Sequence, residues 1–549
     1  LETSSYLKVW LDRLGPLWLA GIVTLLNAAK PPCVDDPAYL ALARHIAQQP
    51  LDPYGFEQFW YDRPQPANEV LAPPVLPYYL ALGIRLGGDA PVWLKLWLFP
   101  WIAGLVFSLR SLVRRVAPRL AGPVVIAIIL SPWILPAVNF MLDVPTLALV
   151  ITAVRLYRDW PKHRELWSAL LAGLVGGGAA QTKYTGLLVL AVFVLADFPR
   201  QRFRRPIVAG SVAVFLFVGW EFWIAQKYGQ SHFLLALRNN LVDWTERLHF
   251  LIYALRLLGG LGFPIILVAL SGLTARRSVL VLTALGWIAT LLVMVVARDG
   301  RHSVWLPAEN QVGSGVQRVV LTAWGIVVVG CCAQAIVRIG RRERHRFVSS
   351  WSGFLALWCL VELLGACWMS PFPAGRRIMG LATVTTMLVA RSCRRQPSAR
   401  QGSLVAVLSA MAGLFFALTD RADADLEPQA IEAAIRWVRS QPSGSDIWFV
   451  GHWGTQEAAL TNGCRPLIPG QSSIRAGDWL LQAPAWVSQP QVRLDEGTWE
   501  LQTTVVIERC WPFRTLPPFY GGDQVIEVWP APMIEMRVYR CRRDGVPLP

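Results

Sequence analysis

The chain has 549 residues, 54% of them hydrophobic and only 16% charged, with a mean hydropathy of +0.40. That balance excludes an ordinary soluble core and points to a membrane protein that crosses the bilayer many times. The net charge of +16 does not read as nucleic-acid binding, because most arginines sit in short clusters between apolar runs, where they orient spans and attract anionic lipid.

In chain order, spans are expected near 14–30, 91–112, 120–138, 144–158, 166–182, 185–198, 206–226, 251–274, 278–297, 318–338, 350–370, 377–391 and 402–419. The apolar segment 73–88 is short, carries three prolines and Arg85, and reads as an interfacial piece of the first outer loop, 31–90. The Lys/Arg bias supports this choice. With thirteen spans and the N-terminus inside, the clusters at Arg110–Arg119, Arg155–Arg164, Arg200–Arg205, Arg276–Arg277, Arg338–Arg346 and Arg391–Arg400 all fall on one side. Counting 73–88 as a span would put Arg110–Arg119 outside and invert the loops that follow.

After Thr419 the pattern changes. Residues 428–440 have helical spacing, and 446–450, 479–482, 499–507, 524–529 and 536–541 read as short strands. The expected organisation is therefore a transmembrane unit, 1–420, and a small α/β unit, 421–549, outside the cytoplasm. Of nine cysteines, Cys331, Cys332, Cys359, Cys367 and Cys393 lie in or beside apolar runs as small hydrophobes. Cys464, Cys510 and Cys541 leave room for one disulfide in the tail.

Charges on the outer face need a reason, since ions near lipid are costly unless they face water, a partner or a substrate. Asp35 and Asp36 follow the first span. Asp36 before Pro37 reads as a helix cap, which leaves Asp35 as the better general base. Asp143 lies at the outer end of the next hairpin, as a second carboxylate or a cap. Lys183 sits at an outer hairpin tip, where it either snorkels or meets a phosphate. Arg376 and Arg377 stand at an outer span start, as interfacial anchors or as a fork for phosphate oxygens. Glu221 and Glu362 fall within spans and should face the bundle interior. No nucleotide-binding glycine loop is present.

In order, Asp35-Asp36-Pro-Ala-Tyr39, Pro73-Pro-Val-Leu-Pro-Tyr78-Tyr79, Leu142-Asp143-Val-Pro145, Gln181-Thr-Lys183-Tyr-Thr-Gly186 and Arg376-Arg377 resemble GT-C membrane glycosyltransferases. The likeness is to the protein O-mannosyltransferase and lipid A aminoarabinose transferase branch, over roughly the first 390 residues. The stretch Gly451-His-Trp-Gly454 with Gly477-Asp478-Trp479 resembles the periplasmic domain of bacterial relatives. The resemblance implies a polytopic α-helical GT-C-like fold in the bacterial cytoplasmic membrane. It also implies inverting transfer of a hexosyl or pentosyl group from a polyprenyl-phosphate donor to an acceptor lipid, glycan or protein. On it, Asp35 matches the base, Asp143 the second-loop carboxylate and Lys183 the phosphate-binding lysine. Two departures stand out: Ala72 where a basic residue often precedes Pro-Pro, and Asp35-Asp36 in place of Asp-Glu. The class varies in its need for a divalent cation, and no ligand cluster is visible here. Two other readings are a transporter or flippase, against which the absence of two related halves counts, and a catalytically silent structural subunit, which Ala72 leaves open.

Overall fold

In a computed structural model, the residues described are all but 1, 62, 72, 160–163, 240–243, 273–275, 297–314, 345–346, 348, 394–397, 442–444, 485–493, 495–496, 529–532 and 546–549. Long apolar stretches must satisfy their own backbone in lipid and so fold as helices; the described chain is mostly helical.

Among the described residues, six helices are long and apolar enough to cross a membrane: Pro91–Val116, Arg204–Tyr228, Arg277–Val295, Gly315–Glu343, Trp351–Trp368 and Ala399–Arg439. The pair Arg247–Leu261 and Phe263–Ser271, bent by 67°, makes a seventh if counted as one span. Each of the thirteen expected windows holds a helix, but the others are shorter. The window 120–138 is corrected most: its helix Ala121–Ile129 ends before Ser131-Pro132, and the chain continues through a short 3-10 turn, Leu135–Ala137. Pro132 and Pro136 withhold the backbone donors that a helix would need there. Segment 73–88 folds as the helix Val75–Gly87 and packs on the helix Asp36–Gln48.

The helices interlock through small residues. A Cβ on Gly259 would lie 1.8 Å from the Leu321 carbonyl oxygen, and one on Gly325 would lie 2.1 Å from that of Leu255. The helices Trp244–Leu261 and Gly315–Glu343 can approach this closely only with glycine at both positions.

The helix Ala399–Ala424 passes the expected boundary at 420 and is followed directly by Leu426–Arg439. Beyond it lies a five-stranded mixed sheet. Its spatial order is Arg465–Pro466, Ile447–Val450, Trp479–Gln482, Ile534–Cys541, Trp499–Ile507; the first three are parallel and the last two antiparallel to their neighbours. Strands 479–482 and 499–507 match expectation; of 524–529, the strand Glu527–Val528 is present, 524–526 are not strand and 529 lies outside the described residues. One buried apolar cluster runs from Val23 in the first helix through Phe416 to Val538 in the sheet. All nine cysteines are free, so the tail carries no disulfide.

The basic loops meet at one end of the bundle. Arg391 pairs with Glu343 at 3.2 Å and donates to the Val116 carbonyl at 3.3 Å. Arg158 donates to the Ala196 carbonyl at 3.1 Å and lies 4.1 Å from the Trp351 ring centroid. Asp35, Asp143, Lys183 and Arg376 gather elsewhere, around one cavity. If the basic end faces the cytoplasm, exposed Cys510 lies outside. An impermeant maleimide added to intact cells is expected to label Cys510 and not a Cys introduced at Arg119 in a Cys510→Ser background. The reverse pattern would invert the topology.

Candidate active site

The site forms where three helix starts converge. Asp35 is the N-cap of Asp36–Gln48, Asp143 opens the helix Asp143–Asp159, and Arg376 and Arg377 lie in the 3-10 turn Gly375–Ile378 ahead of Met379–Ser392. Lys183 sits in the tight connection between Glu165–Ala180 and Tyr184–Leu187. These four segments border a cavity of about 380 Å³, which Tyr39, Trp60, Tyr61, Trp453 and Tyr520 also line.

A chain of charges crosses its floor. Arg376 donates to Asp35 Oδ2 at 3.3 Å and to Asp143 Oδ2 at 3.5 Å. Lys183 donates to the other Asp143 oxygen. Arg376 Nε also reaches the Tyr520 carbonyl at 3.3 Å, which ties the tail to the floor. Burial opposes the Arg376 charge, but Asp143 and Asp35 hold its pKa above the ordinary arginine value. Arg377 makes no direct bond to either carboxylate among the described residues. Its Nε is buried without a hydrogen-bond partner among the described residues, and its guanidinium lies 4.0 Å from the Phe372 ring centroid. Neighbours at a helix start are expected to point apart, yet both arginines line the cavity.

A narrower hollow continues from the floor. It shares Asp143, Lys183, Thr185, Arg376 and Arg377 with the cavity and is then lined mostly by apolar residues such as Leu147, Val150, Leu188 and Met379, with Thr146, Glu362 and Ser370 among them. Three cations and one carboxylate thus stand at the junction of an open cavity and an apolar groove. Asp35 lies on the cavity side, Glu362 on the groove side. A phosphate fits such a junction, because charge-assisted hydrogen bonds gain strength where water is scarce.

Asp36 is not part of this group. Asp35, not Asp36, occupies the N-cap position, and it makes no side-chain cap bond. The Asp36 side chain is 0% exposed and pairs with Lys95, itself 1% exposed, at 3.4 Å. Burial pushes its pKa up, against the pull of Lys95 and Lys30. Its Oδ2 accepts the Cys33 N–H at 3.3 Å, so it shapes the loop that presents Asp35. Glu221 does face inward. It accepts from the Tyr184 hydroxyl at 3.0 Å, Ser231 Oγ at 2.7 Å and the Phe233 N–H at 2.9 Å, fixing the loop beside Lys183. Ala72 lies outside the described residues.

Sequence reasoning missed Tyr520, His452 and the buried partners Lys30, Lys95 and Asp420. Lys30 is bonded to Asp420, and the Tyr520 hydroxyl accepts from Lys30 at 3.0 Å and from Asn139 at 3.2 Å. Their one visible signal was a charge inside or beside an apolar run. Backbone strain also gathers here. Among the described residues, five non-glycines have positive φ; Val34 at 52°, Tyr61 at 60° and Trp453 at 58° line this cavity. For bulky or branched residues this costs on the order of 1–2 kcal/mol each.

No protein-family model and no curated protein matches the sequence. Solved structures do resemble it. Archaeal oligosaccharyltransferase AglB from Archaeoglobus fulgidus, in complex with an inhibitory peptide and a dolichol-phosphate, is 13% identical with a TM-score of 0.46, over 86% of this chain and 70% of that one. ArnT from Cupriavidus metallidurans, bound to undecaprenyl phosphate, is 13% identical with a TM-score of 0.42, over 87% and 93%. Arabinofuranosyltransferase AftD from Mycobacteria is 14% identical with a TM-score of 0.41, over 96% and 40%. These neighbours are GT-C glycosyltransferases, the group that the sequence motifs resemble. With TM-scores below 0.5, the likeness goes no further, and the chemistry rests on the site's own residues.

The Lys183 ammonium gives the site a pH signature. Burial draws its pKa down to about 8; Asp143 opposes this, and Arg377 and Arg376 add to it. Lys183 is therefore charged below about pH 8 and increasingly neutral above it. A bound phosphate favours the charged form. Affinity for an alkyl phosphate should hold just below that value and fall as pH rises through it, with up to one proton taken up on binding above it. In Lys183→Arg, which stays protonated, titration calorimetry should show the fall removed; the same fall in both proteins would assign it elsewhere.

Proposed function

We propose that the chain is an integral membrane glycosyltransferase that moves a sugar from a polyprenyl-phosphate donor to an acceptor hydroxyl, with inversion. The observation that carries this reading is the junction itself. Lys183, Arg376 and Arg377 meet between an apolar groove and an open cavity, with Asp35 on the cavity side, paired to Arg376 at 3.3 Å. A polyprenyl phosphate has this division of character: an apolar tail for the groove, an anion for the cations and a sugar for the cavity.

In the proposed reaction the acceptor hydroxyl attacks the anomeric carbon from the side opposite the phosphate. Its proton passes to the Asp35 carboxylate. The anomeric C–O bond breaks, and its electron pair leaves on the phosphate oxygen. Lys183 and the two arginines hold the phosphate as charge builds on it. A single displacement inverts the anomeric centre. Asp143 acts as a positioning residue, since its two oxygens orient Lys183 and Arg376. Among the described residues no three His, Cys, Asp or Glu side chains group to hold a metal ion, and no step is routed through one. In the proposed orientation the basic end faces the cytoplasm, and the site and the tail unit, 421–549, lie on the periplasmic side of a bacterial cytoplasmic membrane.

The test uses membranes carrying the full chain and radiolabelled undecaprenyl-phosphate hexoses and pentoses, with release of undecaprenyl phosphate as the readout. At least one donor should be turned over. Asp35→Asn should slow it by about 10²–10⁴-fold, the usual contribution of a positioned base. Asp36→Asn should instead leave turnover largely intact and lower stability, because it strands buried Lys95; breaking a buried pair costs about 3–5 kcal/mol. Turnover of no donor, or equal rates in wild type and Asp35→Asn, would count against the assignment.

A further inference from the structure

The Asp35 side of the cavity has a character that the donor reading does not use. Its wall is a cluster of aromatic rings from two distant parts of the chain. Trp60 and Tyr61 come from the hairpin Glu57–Trp60 and Arg63–Pro66, and Trp453 from the start of the helix Trp453–Thr461, with the N-cap His452 buried behind them. The His452 ring lies 5.1 Å from that of Trp60, edge on, and 4.3 Å from that of Tyr61. Hydrogen bonds pin the two parts together: His452 Nδ1 to Gln456 Oε1 at 2.9 Å, and Gln456 Nε2 to the Phe59 carbonyl at 3.4 Å. Glu427 holds the helix start by accepting the Thr455 N–H.

The rings are presented under strain. Tyr61 stands where the hairpin reverses, in a left-handed conformation that asparagine or glycine adopts more cheaply. Trp453 is left-handed at its helix start. Strain of this kind at a cavity wall marks positions held for a purpose other than stability. The wall is also uncharged near neutral pH. Burial lowers the His452 pKa, and burial together with Asp35 raises that of Tyr61. Asp35 lies within electrostatic reach of Tyr39, Tyr61 and His452. Tyr61 keeps 39% of its surface exposed.

We infer that this wall is the acceptor subsite and that the acceptor is a glycan, whose sugar ring stacks on Tyr61 and presents a hydroxyl to Asp35. A sugar ring has an apolar C–H face that suits the negative face of an aromatic ring, and hydroxyls at its edge that suit a base. Neutral rings offer little to a charged acceptor. The inference rests on the proposed transferase reading, and its test separates the two.

The full-length protein in nanodiscs is probed by saturation-transfer NMR with methyl hexopyranosides, methyl pentofuranosides and a capped serine-threonine peptide. At least one glycoside should receive saturation at its ring C–H protons. Tyr61→Ala should weaken that binding about tenfold, as expected for loss of one stacked ring, while Tyr61→Phe retains it. Undecaprenyl phosphate affinity should be unchanged in Tyr61→Ala, which shows that the variant is folded. Absence of glycoside binding in a protein that binds undecaprenyl phosphate, equal glycoside binding in wild type and Tyr61→Ala, or binding of the peptide alone would overturn the inference. Glycoside binding that depends on Tyr61, without undecaprenyl phosphate binding, would instead overturn the donor reading.

Discussion

Arg376 is the group on which the arrangement depends. Its guanidinium is almost wholly removed from water and touches three parts of the chain: Asp35 after the first helix, Asp143 at the second predicted outer turn and the Tyr520 carbonyl in the tail. A buried cation of this kind is tolerable only when paired on several sides. The pairing fixes where two carboxylates stand relative to each other and leaves Arg377 beside them without an acid of its own. Adding an anion to such a place costs less than it would elsewhere, because the desolvation of Arg377 has already been incurred in folding.

A second layer of buried charge supports the first from behind. Asp36 faces Lys95, Lys30 faces Asp420, and Arg514 faces Asp423. Each pair joins segments far apart in sequence. Apolar contacts alone would hold these segments together but would not fix their register, whereas a buried ion pair tolerates little sliding. Here that service is rendered to Asp35, whose loop is set by Asp36, and to Tyr520, whose hydroxyl lies within the Lys30 and Asp420 pair.

Much of this was legible in the sequence, for identifiable reasons. Charge at a membrane surface is rare enough to stand out, and alternation of basic loops placed Asp35, Asp143, Lys183 and Arg376 on one face before any coordinates. Strands 479–482 and 499–507 were visible because aromatic and branched residues crowd them. The turn at 130–142 was not visible: its residues are as apolar as a span, and only Pro132 and Pro136 betray it. Asp36 was one position out because Asp-Pro reads alike whether Asp is the cap or the first helical residue. The aromatic wall was not legible as a site: Trp453 lies in a stretch that stood out only as a resemblance, and its meeting with Tyr61 is made by the fold.

The Lys30–Asp420 pair has a consequence for how the protein is made. The two residues are separated by 390 positions, and Tyr520 follows a hundred later. At a synthesis rate of about 5–20 residues per second, Lys30 waits roughly 20–80 s for its partner. Until then a lysine destined for complete burial must stay hydrated at the bilayer edge. The first helix therefore settles into its final place only after Asp420 has arrived, and the cavity is closed later still, when Tyr520 joins the pair.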